Sequence, residues 1–322
     1  MRLPVQRTLA WLTALVLASS CATGNGVVRS PTVVLESSEL EAWEATTLAF
    51  FDRFYEEWPD LEARFSEFAD DAVFFDPVFG DYWVGPEAIA RGWGMMPSFF
   101  PDFEGQAKSV FLSVESAVFS VDWVGLWIGR KPEEVPWPAG LEVFRFDEGT
   151  VGSQDLWYTG ETLEGEMIEC DGCSTELTAT AARYAAAWSS GNTEQIAALY
   201  ADDATFTDSM FGIEATGAEI SQSIAERFGS AGATMSIQEV YGVTLASSLT
   251  PLGSRSLEGD IVGVGIRYQW TVDAGGTATT VDSLALSYFG RVVDGKFETD
   301  MQHLIVREEV FHNPQNLSEL TP

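Results

Sequence analysis

Asp282 alternates in phase with Leu284, Leu286 and Tyr288, so the period of a strand puts its carboxyl on one face with three apolar side chains. Burial there raises a carboxyl pKa unless the group is paired, and a carboxyl held neutral can donate a hydrogen bond to a developing oxyanion. Glu142 stands in the same relation to Phe144 and Phe146. Tyr184 lies on a helical stripe with Leu177, Ala181 and Trp188 and therefore faces inward. Asp208 ends the run Asp202-Asp-Ala-Thr-Phe-Thr-Asp208, either as an ionised base or as a turn residue whose side chain meets local N–H groups. Each of these residues also has a plain structural reading, as a core tyrosine bonded to a backbone carbonyl or an inward carboxylate satisfied by a neighbouring donor.

The elements that must position these groups occur twice. Without gaps and at an offset of 132, Asp70-Asp-Ala-Val-Phe-Phe-Asp-Pro-Val-Phe-Gly80 lies over Asp202-Asp-Ala-Thr-Phe-Thr-Asp-Ser-Met-Phe-Gly212, and Gly85 and Glu87 over Gly217 and Glu219. Upstream of each copy runs an amphipathic helix, carried by Leu40, Trp43, Phe50, Phe54 and Trp58 in the first half and by Leu177, Ala181, Tyr184 and Trp188 in the second. Downstream, Gly85-Pro86-Glu87 and Gly217-Ala218-Glu219 each open a further helix. The period then changes to two, as in Val264, Ile266, Tyr268, Trp270 and Val272, which predicts antiparallel strands. Helices followed by sheet make an α+β arrangement.

The run Arg183-Tyr184-Ala-Ala-Ala-Trp188-Ser-Ser-Gly191-Asn192, leading through Leu199-Tyr200 to Asp208, resembles the start of a SnoaL-like domain. That family belongs to the nuclear transport factor 2-like superfamily, which includes ketosteroid isomerases, polyketide cyclases, limonene epoxide hydrolases and many non-enzymatic members. The resemblance covers residues 176–312 well and 40–165 more faintly. It implies two tandem cone-shaped domains, each with helices on a strongly curved antiparallel sheet that encloses an apolar pocket. Resemblance to the ketosteroid isomerases puts Tyr184, Asp208 and Asp282 over the polar residues of that family's site, with Asp282 and Tyr184 as oxyanion donors and Asp208 as base. Ser209 departs from the isomerases, which have Pro there, and Thr280 stands where the epoxide hydrolases carry an Arg.

The first half departs further. Asp76-Pro77 fits the pattern and Glu142 is the expected counterpart of Asp282, but the offset sets Asp52, off the helix stripe, opposite Tyr184, and Tyr55 reaches the pocket only if the helix shifts by one turn. Trp123, Trp127 and Trp157 suggest an aromatic-lined cavity with Asp155 near its mouth, while Trp188, Phe206, Trp270, Met301 and His303 line the second pocket. No Gly-rich phosphate loop, nucleophile elbow or calcium-loop spacing is present, and neither a metal nor a cofactor is expected.

With 17 Lys+Arg against 49 Asp+Glu and a formal charge of −32, the chain repels phosphate backbones, which excludes nucleic acid as a partner. Arg2 and Arg7 precede an apolar run from Leu9 to Leu17, too short to span a bilayer, which reads as a secretory signal. Leu17-Ala-Ser-Ser-Cys21 resembles the lipobox of bacterial lipoproteins, implying a lipid on Cys21 and sorting to the outer membrane, on its periplasmic or surface side. In an exported chain, Cys170 and Cys173 are expected to form a small disulfide staple. The division is therefore a signal peptide over 1–20, a lipidated linker over 21–38, domains over 39–165 and 176–313 joined by a linker over 166–175, and a tail over 314–322. The expected function is binding of small apolar ligands or a partner protein in the two pockets; the alternative is an isomerase, cyclase or lyase acting in the second. Sheet-to-sheet packing of the two domains and a homo-oligomer are the two expected modes of association.

Overall fold

The computed structural model describes residues 33–76, 81–124, 139–157, 173–226, 235–245, 260–274, 277–293, 296–299, 304–317 and 320. Cys21, Trp127, Cys170, Met301 and His303 lie outside them. In the first half, α1 (Ser37–Glu56) and α2 (Leu61–Arg64) lead into β1 (Phe68–Asp76) and β2 (Asp81–Val84). The short helices α3 (Pro86–Gly92) and α4 (Met96–Phe99) precede β3 (Glu104–Leu112), β4 (Ser116–Val124), β5 (Ala139–Asp147) and β6 (Thr150–Trp157). In the second half, α5 (Cys173–Ser190) and α6 (Thr193–Ala197) lead into β7 (Tyr200–Asp208) and β8 (Ile213–Thr216), followed by α7 (Glu219–Ile224), β9 (Met235–Leu245), β10 (Asp260–Ala274) and β11 (Thr277–Tyr288). A hairpin of β12 (Gly290–Val293) and β13 (Lys296–Thr299) leads to β14 (Ile305–His312) and α8 (Pro314–Leu317).

The fold is mixed α+β around one large curved sheet. Its order is β2-β1-β6-β5-β4-β3-β14-β11-β10-β9, with β7 joined to β14 and β8 to β7. Most neighbours are antiparallel, but β1 runs parallel to β6, with Phe74 beside Gln154, and β7 parallel to β14, with Phe206 beside Glu308. The two registers are equivalent: β7 follows β1 at the offset seen in the sequence, as Phe206 follows Phe74, and Glu308 takes the place of Gln154 beside it. Gly85 and Gly217 keep the offset too: each has positive φ, each donates its N–H to the carbonyl of Ala72 or Ala204, and a Cβ at either would collide with the Asp70 or Asp202 carbonyl.

Local chemistry accounts for the helices. Glu36 and Glu39 form a reciprocal cap at the start of α1, and Thr47, Phe50, Phe51, Phe54 and Tyr55 make a buried stripe at helical spacing. Asp60 and Asn192 cap α2 and α6 through their side chains. Phe50 and Phe54 meet Phe144 edge-on at 5.0 and 5.3 Å, and Trp188 meets Tyr268 of β10 edge-on at 6.2 Å, so α1 and α5 each cover one side of the strands.

The strand faces turned away from α1 and α5 meet each other. Tyr288 packs edge-on against Trp157 at 4.7 Å and donates to Asp155 at 2.8 Å, and Tyr241 reaches Ser120 at 3.2 Å. Arg145 spans the contact, bidentate to Glu309 at 3.0 and 2.5 Å and bonded to Asp155 at 2.8 Å. Gly263 lies under the Trp157 ring, where a Cβ would stand 2.9 Å from a ring carbon, so the alternating Gly263-Val-Gly265 pair lets the strands approach closely. Both faces of β11 are consequently buried: Val281, Ser283, Ala285 and Ser287 on one side, Leu284, Leu286 and Tyr288 on the other.

Candidate functional site

In the second half, the helix-facing side of the strands carries two adjoining polar networks. The first centres on Glu308, fully buried on β14, which accepts from Tyr184 of α5 at 2.5 Å, Tyr200 of β7 at 2.8 Å and Ser287 of β11 at 3.3 Å. Burial pushes the Glu308 carboxyl up to about 7, against the pull of the three hydroxyl donors and with help from the charge of Asp208. Burial, and then the same carboxylate, raise both tyrosines well above their ordinary range, so each stays a donor.

The second network is a relay. His312 Nε2 lies 3.0 Å from Asp208 Oδ1, its Nδ1 lies 2.7 Å from Ser283 Oγ, and Trp270 Nε1 donates to that oxygen at 2.8 Å. With Nε2–H donating to the Asp208 carboxylate, Nδ1 accepts from the Ser283 hydroxyl, and every group in the chain has a partner. Phe211 covers the imidazole edge-on at 4.8 Å. An orienting carboxylate, an imidazole and a hydroxyl in one line can pass a proton.

The first half has a related but different arrangement. Tyr55 of α1 donates to Glu142 Oε2 at 2.9 Å and accepts from Trp123 Nε1 at 2.8 Å, while Gln154 Nε2 donates to Glu142 Oε1 at 3.0 Å. Burial raises Glu142 to about 7, although Arg64, Tyr55 and Gln154 favour its charged form. The registers make Gln154 the positional equivalent of Glu308 and Ala285 that of Glu142, so the buried acid has moved to the neighbouring strand between the halves.

The structure thus brings Tyr184 and Asp208 to one interior with Trp188, Phe206 and Trp270, and Glu142 to the other with Trp123. Asp76 is buried at the end of β1, at the place Asp208 takes on β7. Asp282 is corrected. Its side chain is on the face turned toward the first half, bidentate to Arg267 at 3.2 and 2.7 Å, and it meets neither Tyr184 nor Asp208. The phase with Leu284, Leu286 and Tyr288 holds, but that apolar face packs strand against strand. The same reason moves Trp157 and Asp155 out of the first pocket and into the contact with Tyr288. Glu142 is not the counterpart of Asp282, and Tyr55 does reach the interior.

Sequence reasoning missed Glu308, His312, Ser283, Tyr200 and Arg64. Val306, Glu308, Val310 and His312 alternate and are all buried, so period two on β14 carried the signal. Among the described residues, no cluster of three or more His, Cys, Asp or Glu side chains is placed to hold a metal ion.

A SnoaL-like domain model matches residues 48–152. No curated protein matches the chain. Among solved structures, similar ones include a putative polyketide cyclase from Sinorhizobium meliloti, at 19% identity over 38% of this chain and 99% of that one, with a TM-score of 0.28. Another is a hypothetical protein with a ketosteroid isomerase-like fold from Catenulispora acidiphila, in complex with trimethylamine, at 13% identity over 35% of this chain and 88% of that one (TM-score 0.31). A third is a nuclear transport factor 2-like protein of unknown function from Burkholderia pseudomallei, at 13% identity over 37% and 98%, with a TM-score of 0.33.

Proposed function

We propose that the protein is an exported, lipid-anchored binder of small, largely apolar molecules, with one chamber in each of two tandem SnoaL-like cones. Glu142 and Glu308 carry the reading: each half sets one buried carboxyl between its long helix and its sheet, held by hydroxyl or amide donors, walled by aromatic rings and poised near neutrality. An apolar interior with a few convergent polar groups is what a small-molecule site requires. The equivalent registers of the two parallel pairs, and the shared offset of Phe74 with Phe206 and Gly85 with Gly217, support the tandem arrangement, and the buried contact around Arg145 supports packing of the two cones through their strands. Among the described residues no helix is long and apolar enough to cross a membrane, which accords with attachment through a lipid on Cys21 alone. Native mass spectrometry of protein purified from its own host tests the reading. A bound small molecule lost on unfolding is expected; bare protein in every charge state would refute it.

The His312–Asp208 contact favours a second reading, removal of a proton beside a carbonyl in the second chamber. Asp208, held by His312, would take the proton from carbon through its second carboxylate oxygen, and a Tyr184 or Tyr200 hydroxyl, turned from a protonated Glu308, would donate to the enolate oxygen. A β,γ-unsaturated cyclic ketone reports this chemistry through the absorbance of its conjugated isomer. Conversion above the buffer rate, reduced on the order of 10²-fold or more in Asp208→Asn, is expected. Conversion at the buffer rate between pH 6 and 9 would remove the enzymatic reading and leave binding.

A further inference from the structure

Arg64 closes α2 with its side chain wholly buried. Its guanidinium carbon lies 3.6 Å from the centroid of Phe54, 4.6 Å from that of Tyr55, 5.3 Å from Trp58 and 5.6 Å from Trp93. Rings stabilise a cation through their faces, but they do not accept its N–H groups in the plane. Nη1 donates to the Phe54 carbonyl at 2.9 Å; Nε and Nη2 have no partner with hydrogen-bond geometry, because the nearby Tyr55 hydroxyl, which favours the charged guanidinium, is already committed to Glu142 and Trp123. The Trp93 indole N–H, in the same ring of side chains, also has none. Glu142, the carboxylate that acts most strongly on Arg64, has both carboxyl oxygens engaged by Tyr55 and Gln154.

The unfilled edge has a defined use elsewhere in this chain. Arg53, Arg145 and Arg267 each present Nε and Nη2 together to the two oxygens of one carboxylate, those of Glu67, Glu309 and Asp282. That fork matches a planar carboxylate in geometry and spacing. Arg64 holds out the same fork where no water reaches it, and a buried charged donor left empty is unfavourable by more than an ordinary missing hydrogen bond.

We propose that Arg64 is the anchor of a ligand site in the first half, taking the carboxylate of a small organic acid on Nε and Nη2 while the acid's apolar body lies against the aromatic rings. The inference rests on the reading that the first half is a ligand chamber, and it adds the charge and class of the ligand. A monoanion balances one guanidinium. A phosphate dianion would leave excess negative charge beside Glu142 in a chain already at −32. Trp93 Nε1 supplies a third donor for the same acceptor-rich group.

The test uses the full chain with phenylacetate, the straight-chain acids from acetate to decanoate, and the matching neutral alcohols, followed by calorimetry and thermal shift. At least one acid is expected to bind at least tenfold more tightly than its alcohol. Arg64→Lys, which keeps the charge but loses the fork, should lower that affinity tenfold or more, and Arg64→Met should abolish it; an unchanged near-ultraviolet dichroism spectrum confirms the fold of each. Should Arg64→Met not fold, Arg64→Lys decides alone. Acids and alcohols binding equally well, or Arg64 variants binding the acid as wild type does, would overturn the carboxylate anchor and leave the chamber standing. No binding by any acid or alcohol would overturn both.

Discussion

Tyr184 donates to Glu308 across the interior of the second half at 2.5 Å, tying α5 to β14 through a carboxyl that burial holds near 7. A group whose folded pKa is raised contributes stability that is present below its unfolded value, here 4.5, and is lost as pH rises through 7. Above that range the buried charge opposes folding by about 3 kcal/mol. Glu308→Gln removes the titration, so its stability relative to wild type should improve from pH 4 to pH 8. Urea denaturation at pH 4, 6 and 8 measures the trend, and parallel curves would place Glu308 outside the titrating set.

In the first half, Tyr55 both favours the charged form of Glu142 and satisfies Trp123. Tyr55→Phe should therefore raise the Glu142 midpoint above its present value near 7 and destabilise the fold by roughly 1–3 kcal/mol, because a buried acceptor and a buried donor lose their partner. Carboxyl carbon chemical shifts across a pH titration report the first effect and urea midpoints the second.

Arg145 sits between two acids from different halves, and with Arg307 it holds Glu309 well below the usual carboxylate range against the effect of burial. Arg145→Met leaves Asp155 and Glu309 facing each other without it, which should destabilise by about 3–5 kcal/mol. A companion triple change, Arg145→Met with Asp155→Asn and Glu309→Gln, should recover most of that loss. Equal destabilisation in the single and triple variants would mean that packing, not charge, dominates this contact.

His312 fills the space between Phe211, Ser283 and Asp208. His312→Ala leaves a cavity and strips Asp208 and Ser283 of a shared partner, an expected loss of about 3–5 kcal/mol. His312→Gln, which can still bond both neighbours, should lose less than half as much in the same denaturation experiment.

Cys21→Ala tests the address. The lipid is the one expected membrane attachment, so the variant should move from the membrane fraction to the soluble fraction on cell lysis. A wild-type protein that is already soluble, with the mass of an unmodified chain, would refute the lipoprotein reading.

The amino-acid sequence by itself determined the features set by neighbours along the chain. The stripe of α1, the caps at Asp60 and Asn192, and the strand period follow from side-chain direction and local hydrogen bonds, and the left-handed turns at Gly85 and Gly217 follow from the room that only glycine leaves beside a carbonyl. Tertiary structure decided which face was which. Alternation sorts β11 into Asp282, Leu284, Leu286 and Tyr288 on one side and Ser283, Ala285 and Ser287 on the other, but it cannot say which side meets a helix. Because strand also packs against strand, the more apolar side became the contact between halves, and the small, polar side became the interior. The parallel pairing of β7 with β14 then set Tyr200 and Asp208 beside Glu308 and His312, a meeting of distant segments that no local period encodes.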